Sequence, residues 1–248
     1  MMHQKPDRPD TLLQGRRYRR DYHAAWGELM EMYGKVERKL TEAREVVRAG
    51  DPAMRVAITE GHLSLRPHNK CEILREWIAG LYHGKVLNLY ERNGDFVDVA
   101  TLADFEGTTW LVNAMMLGSP RERPYLLPVG HVMRLYRRHG GDRGVAVTAN
   151  DSGLDVAAGR RGDMLYLHVV NPDLDSAVVT DLIVEAGTVA GITGYEIAPG
   201  HHSDAIDTTN PDVFDVRERR AEPTGGPLRW IFPRASVTAL AIELGQTP

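Results

Sequence analysis

The sequence is poor in cysteine, in aromatic residues and in long apolar runs. Cys71 is the only cysteine among 248 residues, so no intrachain disulfide can form; this predicts a reducing, cytoplasmic setting and a buried, apolar role for Cys71. Aromatic residues make up 7% of the chain. No apolar run approaches the ~20 residues of a membrane span. The first residues, Met1-Met-His-Gln-Lys-Pro, also lack the apolar core of a signal peptide.

A strong excess of charge is absent as well. The net charge is -4 and the pI is about 6.2, so the composition favours neither nucleic acid nor an anionic membrane as a partner. The basic run Arg16-Arg-Tyr-Arg-Arg20 is better explained as a solvated lead-in to a helix than as a nucleic-acid patch. The spacing of His62 and His68 matches no metal motif, and phosphate- and dinucleotide-binding motifs are missing. No cofactor and no metal are therefore predicted, and His201-His202 is expected to face solvent.

The apolar spacing divides the chain into two parts behind an irregular polar segment, residues 1–20. Residues 21–142 alternate between helices and short apolar strands, the pattern of βα units on a parallel sheet. Residues 143–248 lack helical periodicity and contain short strands between turn residues, which predicts a β-sandwich. The predicted fold is thus α/β plus all-β.

The bounds of individual helices and strands are predicted from the spacing of apolar residues and from the capping and turn residues at their ends. In the first part we predict four helices: Tyr22–Val47, a helix that starts at an Asn69 N-cap with Glu72 three residues on, a helix from Thr108 or Thr109 to Leu117, and Val129–His139. The predicted strands of this part are Arg55–Thr59 and Phe96–Ala103. In the second part we predict strands at Gly144–Thr148, Leu154–Ala158, Met164–Val170, Ala177–Val184, Thr188–Glu196, Leu228–Phe232 and Ser236–Glu243. The stretch 199–227 is expected to be poorly structured and to fold over the edge of the sandwich.

Acidic residues stand at the ends of both predicted strands of the first part. Glu60 closes the run Arg55-Val-Ala-Ile-Thr-Glu60 and is followed by Gly61, while Asp104 and Glu106 follow the next strand. The carboxyl ends of parallel strands carry the active-site loops of such folds, so these acids are expected on one face. A carboxylate there can be a nucleophile, a general acid or base, a metal ligand or a helix cap, and its position alone leaves these roles open.

An ordered set of segments carries a resemblance to a known family. The set runs from Val56-Ala-Ile-Thr-Glu60-Gly-His through Val97-Asp-Val-Ala-Thr-Leu-Ala-Asp104, Trp110-Leu-Val-Asn113 and Pro128-Val-Gly-His131 to Leu167-His-Val-Val-Asn171-Pro, Asp207-Thr-Thr-Asn210-Pro and Pro233-Arg-Ala-Ser-Val237. In this order it resembles the C-terminal half of the glycoside hydrolase family 51 α-L-arabinofuranosidases, over roughly residues 22 to 245.

The resemblance implies a fold and an activity. It implies the last two βα units of a (β/α)8 barrel followed by a β-sandwich, and a retaining glycosidase that releases terminal arabinofuranosyl residues from arabinose-containing oligo- or polysaccharides. Glu60 would be the nucleophile, with Asp104 and His62 in substrate binding. Where the family commonly has Glu-Trp-Asn, this chain has Glu60-Gly61-His62, which implies an altered substrate preference. Asp104 likewise replaces a side chain that is usually an amide.

One half of the catalytic machinery is not found in the sequence. The family's acid/base glutamate lies in an Asn-Glu pair on an earlier strand, and no such pair precedes Glu60. A complete barrel takes about 250 residues, so residues 21–142 can supply only part of one. We therefore expect a fragment that lacks its N-terminal barrel portion or forms a homo-oligomer. A non-catalytic carbohydrate-binding module and a split-enzyme subunit remain as alternatives.

Overall fold

A computed structural model describes residues 4–150, 152–185, 187–222 and 228–245. Its helices are α1 (Tyr22–Gly50), α2 (Trp77–Arg92) and α3 (Pro128–Arg138), with short 3-10 turns at Arg17–Arg20 and Glu72–Arg75. None of the described helices, including the 29-residue α1, combines the length and apolarity that crossing a membrane requires. Residues 1–3 and the end of the predicted irregular stretch, residues 223–227, lie outside the described residues.

The first part contains two short strands that pair in parallel, as predicted. They are β1 (Val56–Ile58) and β2 (Val97–Ala100). The α1 helix packs against α2 through an apolar stripe at helical spacing. Asp21 is its N-cap, and the Asp21 side chain accepts a hydrogen bond from the Ala24 amide. Three further strands form a separate small sheet: β3 (Asp104–Gly107), β4 (Asn113–Met116) and β5 (Tyr125–Leu126).

The second part is built on one antiparallel sheet of six strands. In the order of the sheet these are β11 (Arg217–Ala221), β10 (Val189–Ile197), β13 (Ser236–Leu244), β8 (Met164–Asn171), β7 (Asp155–Arg161) and β6 (Arg143–Val145). A two-stranded sheet, β9 (Val178–Leu182) with β12 (Leu228–Phe232), covers one face, and Trp230 and Phe232 pack there against Leu240 and Ile242. The other face packs on α2, so β13 is buried on both sides except at Glu243.

Two predicted helices of the first part are wrong in extent or in kind. Asn69 is not an N-cap: its φ is 58°, and α2 begins only at Trp77. The first amides of α2 are satisfied by a distant loop, since the Trp77 and Ile78 amides donate to the carbonyls of Asp204 and His202. A local capping signal is therefore not what starts this helix.

The helix predicted from Thr108 or Thr109 to Leu117 is a turn followed by β4. The Asn113 side-chain amide donates to the Trp110 carbonyl at 2.6 Å, and the Leu111 amide donates to the Asn69 carbonyl at 2.8 Å. Met115 and Met116 then pair with β5. These backbone and side-chain hydrogen bonds replace the helical ones that a Thr108 or Thr109 cap suggested.

The described part of the stretch 199–227, residues 199–222, is more ordered than expected. It contains the edge strand β11, and its His202 is 5% exposed and packs edge-to-face on Tyr22 with ring centroids 5.0 Å apart. The prediction that both histidines of this pair face solvent is therefore wrong for His202, whereas His201 is exposed.

Cys71 is buried as predicted, and burial raises the pKa of its thiol to about 11. The domain boundaries at residues 20 and 142 stay predictions.

Candidate active site at the strand ends

Glu60 lies just beyond the carboxyl end of β1, where the chain is fixed by the residue that follows β2. The Thr101 amide donates to the Ile58 carbonyl at 2.8 Å, and the Thr101 hydroxyl donates to the Thr59 carbonyl at 2.7 Å. A Cβ at Gly61 would lie 2.9 Å from the Thr101 carbonyl oxygen, so this turn has no room for a side chain. The Glu60 side chain is 32% exposed, which leaves a carboxylate accessible to solvent beside a rigid strand end.

His62 is buried next to Glu60 and is contacted on both ring nitrogens. Its Nε2 lies 3.3 Å from Glu60 Oε1, and its Nδ1 lies 3.2 Å from the Ser64 hydroxyl. The side chain is only 4% exposed. The ring is therefore oriented, with Nε2 directed to the carboxylate and Nδ1 to the hydroxyl.

The loop that carries His62 is held by Gln4, which sequence reasoning did not identify. The Gln4 backbone amide donates to the His62 backbone carbonyl at 3.1 Å, and the Ser64 backbone amide donates to the Gln4 backbone carbonyl at 2.7 Å. The Gln4 side chain donates to the Gly61 carbonyl at 2.9 Å and accepts from the Tyr82 hydroxyl at 2.5 Å. No local signal predicts this role, because Gln4 lies in a polar segment and its partners are more than 50 residues away.

Asp104, the first residue of β3, completes the group. The nearest ligand atoms of Glu60, His62 and Asp104 all lie within 4.8 Å of one another. The structure therefore brings together all three site residues that the sequence pointed to. Glu106, on the same strand, is exposed and is not a member of this group.

A further histidine, His83, lies near His62 and is uncharged. His83 on α2 is buried, and burial lowers its pKa to about 4, with the nearby imidazole of His62 as a further cause. His83 is therefore neutral near pH 7, and its Nδ1 lies 2.6 Å from the Ala79 carbonyl oxygen. The group offers two partly exposed carboxylates and one buried, oriented imidazole. Such a set can supply a nucleophile, hydrogen-bond a polar ligand or ligate a cation.

Comparison with known proteins yields structural matches only. No protein-family model matches this sequence, and no curated protein matches it either. Among solved structures, the GH51 arabinofuranosidase from Xanthomonas axonopodis pv. citri superimposes with a TM-score of 0.75 at 14% identity, covering 89% of this chain and 48% of that one. The thermostable GH51 α-L-arabinofuranosidase from Thermotoga petrophila RKU-1 gives a TM-score of 0.73 at 19% identity, covering 90% and 50%.

A third structure, the α-L-arabinofuranosidase from Thermotoga maritima in its arabinose complex, gives a TM-score of 0.68 at 20% identity and covers 98% of this chain. The chain spans about half the length of these structures, 48–52%. Its fold is that of the corresponding half of GH51 arabinofuranosidases, so the predicted resemblance and fold class are confirmed. At this level of identity the likeness extends to the fold and not to the reaction.

Proposed function

We propose that this chain supplies the nucleophile half of a retaining glycosidase site that acts on terminal arabinofuranosyl residues of arabinose-containing oligo- or polysaccharides. The observation that carries the proposal is the position of Glu60. Within the GH51 arabinofuranosidase fold it is a partly exposed carboxylate at the carboxyl end of a parallel strand, grouped with Asp104 and His62. Chemistry in parallel βα folds is carried by this end of the strands.

The proposed reaction assigns a separate task to each residue of the group. An oxygen of Glu60 attacks the anomeric carbon as the bond from that carbon to the leaving oxygen breaks, and water later hydrolyses the glycosyl-enzyme. His62 Nε2, 3.3 Å from Glu60 Oε1, orients the carboxylate. Asp104 lies close enough to accept a hydrogen bond from a sugar hydroxyl at the same position.

The other half of the site has to come from beyond the three-residue group. The leaving oxygen needs a proton donor, and the loss of general acid catalysis costs about 10²–10⁴-fold in rate. Ala57 and Val99, which pair across β1 and β2, are both exposed. In a closed barrel neither face of a strand is exposed, because side chains fill the interior and helices cover the outside. We therefore expect the remaining barrel strands to be supplied by further chain or by a separate subunit.

An aryl arabinofuranoside with a highly acidic leaving group tests the nucleophile directly, because such a group departs without protonation. A 2-fluoro derivative, which slows hydrolysis of the glycosyl-enzyme, should label the isolated chain once, at Glu60, as located by peptide mass spectrometry. The Glu60→Gln variant should not be labelled. Glu106→Gln, an exposed carboxylate outside the group, is the matched control and should be labelled normally. Labelling elsewhere, or labelling that survives Glu60→Gln, would overturn the proposal.

The alternative of a carbohydrate-binding module has little support in the second part of the molecule. Trp230, the only tryptophan of that part, is 3% exposed, and the Arg219 guanidinium lies 4.1 Å from its ring centroid. It therefore cannot stack on a sugar from solvent. The split-enzyme alternative is contained in the proposal, since a separate subunit would complete the barrel. A cytoplasmic location and a homo-oligomer stay predictions.

A further inference from the structure

We propose that Glu60, His62 and Asp104 form a binding site for a divalent transition-metal ion of the zinc type. Glu60 and His62 lie in one loop, Asp104 begins β3 more than 40 positions later in the sequence, and the ligand atoms of the three residues converge within 4.8 Å of one another. No ligand spacing in the sequence predicts such a site, because only the tertiary structure brings Asp104 to the other two. The proposal does not depend on glycosidase activity.

The geometry requires only a small adjustment of the side chains. Zn²⁺ binds nitrogen and oxygen ligands at about 2.0–2.2 Å in tetrahedral geometry, so two ligand atoms on one ion are about 3.4 Å apart. A pair at the 4.8 Å limit of the group must therefore approach by roughly 1.4 Å. Glu60 and Asp104 are both partly exposed and can make this movement by a change of rotamer. The Glu60–His62 pair, at 3.3 Å, already has the separation that two ligands of one ion need.

His62 is oriented as a ligand before any ion arrives. Ser64 contacts Nδ1 at 3.2 Å, while Nε2 is directed towards the Glu60 carboxylate. Ligating histidines are commonly fixed in this way, by a hydrogen bond on the ring nitrogen that does not bind the metal. Gln4 hydrogen-bonds the backbone on both sides of His62 and holds the loop in place. The least mobile ligand is thus the buried one, and the two carboxylates can close on the ion.

The donor set indicates which ions should bind. Two carboxylates and one imidazole match the three-ligand sites that Zn²⁺ occupies with water in the remaining positions. Ca²⁺ prefers six to eight oxygen ligands, and Mg²⁺ keeps most of its water, so both should bind more weakly. Two carboxylates also offset the charge of a divalent cation. An ion held there would occupy Glu60 and so prevent its attack on a sugar, which makes Zn²⁺ an expected inhibitor of the proposed glycosidase.

The test is calorimetric titration of the full chain, stripped with a chelator, with ZnCl₂. One site is expected, together with a rise in melting temperature on binding, and Mg²⁺ and Ca²⁺ should bind more weakly and raise the melting temperature less. Even the loss of an outer partner of a metal ligand typically costs 10–100-fold in affinity, so His62→Asn and Asp104→Asn should each weaken Zn²⁺ binding by at least about 10-fold. His68→Asn replaces an exposed histidine of the same loop that is not in the group, and it should bind as the parent does.

Co²⁺ provides a second readout, because its visible absorption reports an imidazole ligand and should change in His62→Asn but not in His68→Asn. Far-UV circular dichroism without metal confirms that each variant is folded, and Asp104→Asn, at a partly exposed position, keeps the test valid if His62→Asn unfolds. Zn²⁺ binding that is unchanged in Asp104→Asn, or equal binding of Mg²⁺, would overturn the proposal. Failure of Glu60 labelling would leave this result intact, because metal binding is measured without a sugar.

Discussion

The two parts of the molecule are held together by different means. In the second part, β13 is hydrogen-bonded along its length to β10 on one side and to β8 on the other, and the core around Trp230 is apolar. In the first part, the strands β1 and β2 pair only with each other among the described residues. There, buried polar side chains make the long-range connections: Glu76 accepts hydrogen bonds from the hydroxyls of Tyr18 and Tyr22 at 2.6 and 2.9 Å.

This difference explains where a site can form. A strand that is paired on both sides and buried on both faces, as β13 is, leaves no backbone and, apart from Glu243, no side chain available to a ligand. The open end of β1 and β2 leaves Glu60 and Asp104 partly exposed, while the loop around His62 is fixed by Gln4. The first part of the molecule therefore combines accessible carboxylates with a rigid support, which is what binding or catalysis requires.

The largest effect on stability is expected at Glu76, which is 2% exposed. Glu76→Gln removes a buried charge that accepts from two tyrosine hydroxyls and pairs with Arg19 at 3.2 Å. Removing one partner of such a buried network costs about 3–5 kcal/mol in the free energy of unfolding. Urea denaturation measures it. Glu72→Gln, at a carboxylate that is 34% exposed, should cost less than about 1 kcal/mol. Equal effects of the two variants would show that the polar network does not hold the first part together.

A smaller effect is expected at Asp155, which joins β7 of the large sheet to α2. Its carboxylate oxygens lie 2.8 Å from Lys85 Nζ and 2.8 Å from Arg92 Nη1. Burial by itself would raise the pKa of Asp155, but Lys85 and Arg92 outweigh it, and the pKa falls below its ordinary value. Because these cations are partly exposed, Asp155→Asn should cost about 3 kcal/mol at pH 7, near the lower limit for a buried pair.

The sign of the pH dependence follows from the lowered pKa of Asp155. The stabilisation is fully present above the unfolded-state pKa of about 3.9 and is lost as the pH falls through the lower folded-state pKa. The difference in unfolding free energy between the parent and Asp155→Asn should therefore shrink below about pH 4. Urea titrations at pH 7 and at pH 3 measure this, with the exposed Asp142→Asn as control. A difference that stays constant with pH would mean that the ion pairs do not connect the two parts.

The smallest of the three effects is expected in the apolar core of the large sheet, at Gly194 on β10. A Cβ there would lie 2.3 Å from Trp230 Cζ2 and 3.1 Å from Leu240 Cδ2. Gly194→Ala should therefore cost about 2 kcal/mol through overpacking. Gly144→Ala is the matched control: no heavy atom lies within 4 Å of its added Cβ, and its effect should stay within about 0.5 kcal/mol. Thermal unfolding of both variants measures the difference, and equal melting temperatures would contradict this account of the core.

Periodicity predicted the elements whose residues repeat along the chain. Helix α1 ends at Gly50, close to the predicted stop, and the strands β8, β12 and β13 coincide with their apolar runs within one or two residues. The edge strand β11 was missed, because Arg-Glu-Arg-Arg-Ala has no apolar alternation. Charged edge strands are common, since charges there oppose unwanted pairing, and a hydrophobic pattern cannot find them.

The sequence by itself determined the two-part organisation and the presence of carboxylates after both parallel strands, because apolar period and strand ends are local properties. Only the tertiary structure decided that Glu60, His62 and Asp104 converge, that Gln4 supports their loop, and that residues 202–204 cap α2. The physical reason is the same in each case. These contacts join residues far apart in the chain, and hydrogen bonds of that kind leave no periodic trace in the sequence.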